Sequence, residues 1–352
     1  MKINILMPDI VRTPAGGHKV IYDYSNRLAE DGYDVALYFF PGGIFSKFHF
    51  PERLRLQIVK IYGDTINPVW FKLDKRIKKK VVIHADEMRS ADVVLATGVN
   101  TAFPVYELPE KYGKKGYFIQ GFENWDYSDD YVYNTYNLGM RNMVVSKWLQ
   151  KKVNEHTNIP CELISNGVDE KVFFKRKGQP LKHSIVFQYR SQAHKGCKYG
   201  IKAIHILEKK YPDLKVIAIS SEVKPSNFPQ NWKYKFNVSS EKVAEINNQS
   251  EVFICSTIDE GFGLPGLEAM ACGCAVASTD YTGVHDYAID GVNALLSPVR
   301  DAKALADNVI KLFENDALRE KIVHAGIETG KERTVQNSYK KFKHTLEDMV
   351  KR

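Results

Sequence analysis

Asp259-Glu260-Gly261-Phe262-Gly263-Leu264-Pro265-Gly266-Leu267-Glu268-Ala269-Met270-Ala271-Cys272-Gly273 is the stretch on which the reading of this chain turns. The apolar run Val252–Cys255 before it has the length of a buried strand. Leu264–Cys272 reads as a helix, with Pro265 in the first turn, where its missing N–H does no harm. Strand, glycine loop and helix start together make an anion-receiving geometry. Gly261 and Gly263 let the backbone approach a ligand closely, and the free N–H groups of the helix favour a diphosphate. Glu260 before the helix and Glu268 about one turn inside it can each accept hydrogen bonds from hydroxyls. Read from physics alone, the same residues are equally a glycine-rich turn, a helix-start acid and an ordinary exposed glutamate.

Working outward, short apolar runs alternate with amphipathic ones, the pattern of parallel sheets covered by helices. Strands are expected at Ile3–Met7, Val35–Phe40, Val93–Ala96, Tyr117–Gln120, Met143–Ser146 and Glu162–Ile164. The second half repeats the logic at Ser184–Gln188, Val216–Ile219, Val252–Cys255, Ala275–Ser278 and Ala294–Leu296. Helices are expected there at Tyr199–Lys210, Glu241–Asn248, Ala302–Glu314 and Leu318–Gly326. Between the first two strands, Gly17–Asp31 places Val20, Ile21, Tyr24 and Leu28 on one helix face. The polar stretch Phe173–Pro180 suits a link between halves. The expected division is 1–170, 171–335 and a charged C-terminal helix over 336–352. Two doubly wound halves imply a cleft, with ligands at the carboxyl ends of strands.

Composition narrows the class. The 352 residues are 44% hydrophobic and 26% charged, a globular balance long enough for two domains. The net charge of +8 favours acidic partners without naming one. The five cysteines show no metal-type spacing and suit buried thiols in a reducing compartment. Met1–Pro8 is too short for a signal peptide, and no run approaches the roughly 20 apolar residues of a spanning helix. The expectation is a cytoplasmic protein, at most peripheral to a membrane. Phe71–Lys80, the densest basic run, reads first as a solvated helix face. With Trp70 and Phe71 beside it, contact with an anionic membrane is the sharper alternative. No nucleic-acid module is evident.

Three further loops carry polar chemistry. Arg190 and Lys195, just after Ser184–Gln188, can bracket a diphosphate, although two solvated cations are the plainer reading. Gly16 and Gly17 open the first helix in Thr13-Pro14-Ala15-Gly16-Gly17-His18, which is not a G-x-G-x-x-G fingerprint, and His18 is expected at the surface. His285 and Asp286, after Ala275–Ser278, are further candidates. There is no HExxH and no Asp-x-Asp, so no metal site is expected.

The 259–273 string resembles the donor-binding signature of glycosyltransferase family 4, a glutamate, seven residues, then a second glutamate. The resemblance implies a GT-B fold of two Rossmann-like domains facing a cleft. It assigns Glu260 to the donor sugar and Glu268 to the nucleotide ribose, with backbone amides at Phe262, Gly263 and Leu264 helping to hold the donor. Phe187–Gly196 is similar to the family's G-R-x4-K-G segment, with Tyr189 in place of the glycine. That gives Arg190 and Lys195 the leaving group, and Gly16 and Gly17 a place over the donor phosphates. Ile164–Asp169 resembles the I-x-N-G-V-D turn ending the first domain, with Asn166 and Gly167 supplying turn conformations. Tyr117–Trp125 is similar to the Y-F-x-Q-x-x-E pattern of a surface-polysaccharide subset that includes rhamnosyltransferases. There Gln120 and Glu123 face sugar or acceptor, or simply form a structural turn.

The implied activity is retaining, metal-independent transfer from a nucleotide-sugar donor to a saccharide or lipid-linked acceptor, with no cofactor. Open alternatives are a non-hydrolysing nucleotide-sugar 2-epimerase of the same fold and a non-catalytic nucleotide-sugar-binding subunit. A retaining hydrolase holds its carboxyls about 5–5.5 Å apart, which a loop–helix placement of Glu260 and Glu268 does not guarantee.

Overall fold

The computed structural model describes residues 1–11, 13–40, 51, 54 and 70–351. They form two compact units, Met1–Ser165 with Tyr339–Arg352, and Asn166–Ser338. Each is a parallel sheet covered by helices.

The first unit's sheet has the order β3-β2-β1-β4-β5-β6-β7. Its strands are β1 Lys2–Met7, β2 Asp34–Phe39, β3 Lys78–Val81, β4 Val93–Ala96, β5 Lys114–Ile119, β6 Arg141–Val144 and β7 Glu162–Leu163. β1, β2 and β4 are apolar nearly throughout because helices cover both faces of a parallel sheet. Helix α1, Gly16–Glu30, buries Val20, Ile21, Tyr24 and Leu28, the face its spacing predicts. It ends at Gly32, whose φ of +88° is a conformation that favours glycine. The other helices of this unit are α2 Val99–Tyr106, α3 Asp129–Tyr136 and α4 Lys147–Asn154.

Lys78–Lys80 are not on a helix face. They pair with Ala36–Tyr38 as the sheet's edge strand, where lysines blunt an otherwise open row of backbone donors and acceptors. Lys78 pairs with Asp34 at 3.4 Å and Lys80 with Glu87 at 3.7 Å. Trp70 and Phe71 pack on Tyr22, with ring centroids 5.6 and 5.5 Å away, and the Trp70 indole donates to the Val11 carbonyl. Aromatic and basic residues adjacent in sequence thus have separate structural duties. The C-terminal helix α10, Val335–Lys351, sets Phe342 4.8 Å from the Tyr24 ring. From the same helix the Tyr339 hydroxyl and Lys343 ammonium donate to Asp31 at 2.7 and 2.8 Å, bonds that hold this carboxyl below its usual range.

The second unit has the order β10-β9-β8-β11-β12-β13. Its strands are β8 Leu181–Gln188, β9 Lys215–Ser220, β10 Lys233–Phe236, β11 Ser250–Cys255, β12 Ala275–Thr279 and β13 Leu295–Ser297. Helices α5 Cys197–Lys210, α6 Ser240–Gln249, α7 Leu264–Ala271, α8 Ala302–Glu314 and α9 Asp316–Glu332 flank them. Ile185, Phe187, Ile204, Leu207, Val252, Ile254, Leu305 and Val309 belong to one buried core cluster.

Phe173–Pro180 is tied into this unit at its start. Phe173 is buried, the Arg176 N–H donates to Asn248 Oδ1 at 2.7 Å, and Asn248 Nδ2 donates to the Phe174 carbonyl at 3.0 Å. Gly167 serves close approach and not a left-handed turn. A Cβ there would lie 2.3 Å from the Thr334 carbonyl carbon, across the bridge joining Val168 to Thr334.

Candidate active site

In the second unit the chain leaves β8 for one side of the sheet and returns to the other at β11. Between these two strands lies the topological switch point, where loops diverge and a ligand can enter. The loops after β8, β11 and β12 meet there. The N–H groups of Ile258 and Asp259 both donate to the His194 carbonyl, at 2.8 and 3.3 Å. Thr282 Oγ1 donates to Asp259 Oδ1 at 2.8 Å, fastening the third loop to the second. Gly196, with φ of +61°, passes so close that a Cβ would lie 2.0 Å from the Ser256 carbonyl oxygen.

The resulting recess is lined by Arg190, Lys195, Glu260 and Gly263, with Gln188, Ser256, Thr257 and Tyr281 among the other walls. Lys195 Nζ lies 2.8 Å from Glu260 Oε1, both side chains being about a quarter exposed. Arg190 differs. Its Nη1 donates to the Tyr189 carbonyl at 2.8 Å and to Ser220 Oγ at 3.4 Å, and among the described residues it makes no ion pair. Burial pushes its pKa down, which Glu222 partly opposes. A half-buried guanidinium with donors to spare can receive an anion. Both Glu222 oxygens accept from the Ser191 N–H, at 3.1 and 3.0 Å, fixing the loop on which Arg190 sits. Tyr189, the departure from glycine, lodges its ring 5.3 Å from Phe228 and 6.3 Å from Tyr234.

Gly263 caps α7 with φ of +92°, and a Cβ there would lie 1.8 Å from Tyr281 Oη. No side chain caps this helix. The Phe262 side chain is buried 5.4 Å from the Tyr287 ring, and its carbonyl accepts from Tyr281 Oη at 3.3 Å. Phe262, Leu264 and Glu268 do not line the recess, and Glu268 is half-buried on α7. His285 is exposed and pairs with Asp280 at 2.7 Å, while Asp286 is buried.

The first unit gathers a different set after β1, β4 and β5. A Cβ on Gly17 would lie 3.1 Å from Gln120 Nε2, whereas Gly16 faces open space. Gln120 Oε1 is buried without a hydrogen-bond partner among the described residues. Glu123 Oε2 accepts from the Val99 N–H at 2.9 Å, at the start of α2. Desolvation outweighs that bond and pushes the carboxyl up to about 7. His18 is not a free surface residue: its Nε2 lies 3.0 Å from the Asp9 carbonyl, its ring meets Tyr22 edge-on at 6.0 Å, and burial lowers its pKa.

Ser256, Thr257, Tyr281 and Glu222 escape the sequence reading. Only Tyr281, which follows Ala275–Ser278 on the same loop as His285 and Asp286, carries a signal in its position. Among the described residues no group of three or more His, Cys, Asp or Glu is placed to hold a metal. Among them, too, no helix is long and apolar enough to cross a membrane.

Residues 169–329 match the family described as Glycosyl transferases group 1, a segment inside the second unit. Over 141 residues the chain is 30% identical to the capsular polysaccharide biosynthesis glycosyltransferase CapM of Staphylococcus aureus, covering 38% of this chain and 37% of that one. It spans about half the length, or less, of the curated relatives it matches first, 37%, 53% and 43% of them. Similar solved structures include sucrose-phosphate synthase from Thermosynechococcus elongatus, with TM-score 0.78 and 14% identity over 99% of this chain and 98% of that one. Anabaena HepE in complex with UDP and glucose superposes with TM-score 0.75 and 15% identity over 99% of both chains. At such identities the likeness speaks for the fold, which is that of GT-B glycosyltransferases.

Proposed function

We propose that this chain is a glycosyltransferase that moves a sugar from a nucleoside diphosphate to a saccharide or lipid-linked acceptor in cell-surface polysaccharide synthesis. The observation that carries the reading is the half-buried Arg190, with no ion pair among the described residues, beside the Lys195–Glu260 pair at the switch point and the start of α7. The group 1 match over the same unit and the capsular polysaccharide role of CapM support it. So does the UDP held by HepE, whose fold this chain shares.

In this reading the diphosphate meets Arg190, Lys195 and the backbone donors at Gly263 and Leu264. Cations aimed where charge develops on the leaving phosphate lower the barrier to breaking the sugar–phosphate bond. Glu260 orients the sugar and Glu268 the ribose, so neither serves as nucleophile. The cations supply the charge stabilisation, and the transfer needs no metal. Attack on the face the diphosphate leaves retains configuration, and the departing phosphate oxygen takes the acceptor hydroxyl proton. Gly16 and Gly17 belong to the donor phosphates, and Gln120 and Glu123 to the sugar or acceptor. The Tyr117–Glu123 pattern makes a deoxysugar such as rhamnose the first donor to try. The site of action is the cytoplasm, including the inner face of the plasma membrane where lipid-linked acceptors lie.

The test is release of nucleoside diphosphate from UDP-, GDP- and dTDP-sugars, with and without magnesium, in the presence of polysaccharide-derived acceptors. Acceptor-dependent release from one donor, unchanged by chelator, is expected. A folded chain that binds donor and never releases diphosphate would be a binding subunit instead.

A further inference from the structure

The loop after β5 and the start of α3 carry an exposed aromatic surface that the donor chemistry leaves unused. Trp125 is 62% exposed and lies over Gly121, where a Cβ would come 3.9 Å from its ring edge. Two residues on, Tyr127 stacks parallel to Tyr131, with centroids 5.0 Å apart and planes 12° apart. Phe103 of α2 backs Tyr131 at 5.3 Å, and Tyr131 keeps 37% of its surface in water. Tyr127 and Tyr131 cover one another, so Trp125 is the ring most open to water, with the tyrosine pair beside it in sequence, and such a ring can pack against the C–H face of a ligand.

The surrounding charge says what binds. Glu123–Asp130 contains Glu123, Asp126, Asp129 and Asp130 and no lysine or arginine. Asn124 Nδ2 donates to Asp129 Oδ1 at 2.9 Å, so amide and carboxylate stand together at the α3 N-terminus. Lys152 of α4 stands over the adjacent Phe122 ring at 3.9 Å, and four carboxylates against that one ammonium leave the neighbourhood net negative, which disfavours an anionic lipid surface or a nucleotide phosphate. A neutral pyranose fits on both counts. Its C–H face packs on the positive-edged, negative-faced ring of an aromatic side chain, and its hydroxyls donate to carboxylates.

We propose that Trp125, Tyr127 and Tyr131, with the carboxylates beside them, form a saccharide subsite of the first unit that takes a neutral sugar ring. As an acceptor subsite it rests on the transfer reading above; as a saccharide site it does not. Rigid rings hold the sugar with little loss of side-chain freedom, and Glu123 stands at the head of the loop.

Saturation-transfer NMR on the full chain tests it, using methyl α-L-rhamnopyranoside, methyl β-D-glucopyranoside and methyl N-acetyl-β-D-glucosaminide as probes. Saturation of ring C–H protons is expected for at least one glycoside. It should fall at least about fivefold in Trp125→Ala and in Tyr131→Phe/Trp125→Ala, with thermal midpoint and nucleotide binding unchanged. No saturation from any of the three, or undiminished saturation in the exposed-site variant Trp125→Ala, overturns the subsite. So does Trp125-dependent binding to phosphatidylglycerol vesicles, which would make the surface a membrane contact. Nucleotide binding without saccharide binding sinks the subsite and leaves the transfer reading standing; saccharide binding without nucleotide binding does the reverse.

Discussion

The two units end their strands in opposite electrostatic conditions. In the second, charges meet across loops: Lys195 is paired with Glu260 at 2.8 Å, and Arg190 beside them makes no ion pair among the described residues. In the first, Glu123 accepts from the Val99 N–H and rises to about 7, and Gln120 Oε1 has no hydrogen-bond partner among the described residues. In the proposed reading the second unit's site takes a strong anion and the first unit's takes neutral hydroxyls. The difference follows from loop composition, cations after β8 against carboxylates and aromatics after β5.

The contrast can be broken most directly at Arg190. Arg190→Ala should lower turnover by about 10²- to 10³-fold, the usual effect of removing a donor aimed at developing charge. A rate assay under donor saturation checks this, and a near-normal rate would remove the leaving-group role. Gly263→Ala comes next. The Cβ has no room beside Tyr281 Oη and the φ of +92° is strained for alanine, so stability should fall by roughly 1–3 kcal/mol, read by denaturant unfolding.

Glu260→Gln sharpens the comparison, because it frees Lys195. Affinity for the bare nucleoside diphosphate should rise, by about threefold to tenfold, while turnover falls. Calorimetry showing weaker diphosphate binding would mean the pair holds the recess open and does not compete with ligand. The smallest effect concerns Glu123. A carboxyl raised above its ordinary value binds more protons folded than unfolded, so stability is lost as pH climbs from about 4.5 to about 7. Glu123→Gln should therefore raise the thermal midpoint by about 2–4 °C at pH 8 and leave it unchanged at pH 4. An equal shift at both pH values would attribute the effect to packing.

Much of the fold was legible because buried parallel strands are short apolar runs and covering helices are periodic: Val93–Ala96 and Ala302–Glu314 have the expected bounds in the structure. β3 and β10 escaped because edge strands are polar: Lys78-Lys79-Lys80-Val81 and Lys233-Tyr234-Lys235-Phe236 carry no apolar run to read. α2, α3 and α4 have only eight residues each, too short for a clear period. At the site, position after strands made Arg190, Lys195 and Glu260 candidates, but only the family resemblance set them above solvated cations and a helix-start acid; the structure brings them to one recess. Their contacts were not legible. The Lys195–Glu260 pair joins residues 65 apart in sequence, and Glu222 reaches Ser191 from the end of another strand. Gly167 looked like a turn residue because crowding by Thr334 lies far along the chain.

The central claim, an anion site built on Arg190, is tested most directly by calorimetric titration of the full chain and of Arg190→Ala with UDP, GDP and dTDP. The native protein is expected to bind one of them without added magnesium, and Arg190→Ala to bind it at least about tenfold more weakly. A folded native chain that binds none, or a variant that binds as tightly as the native one, would contradict it.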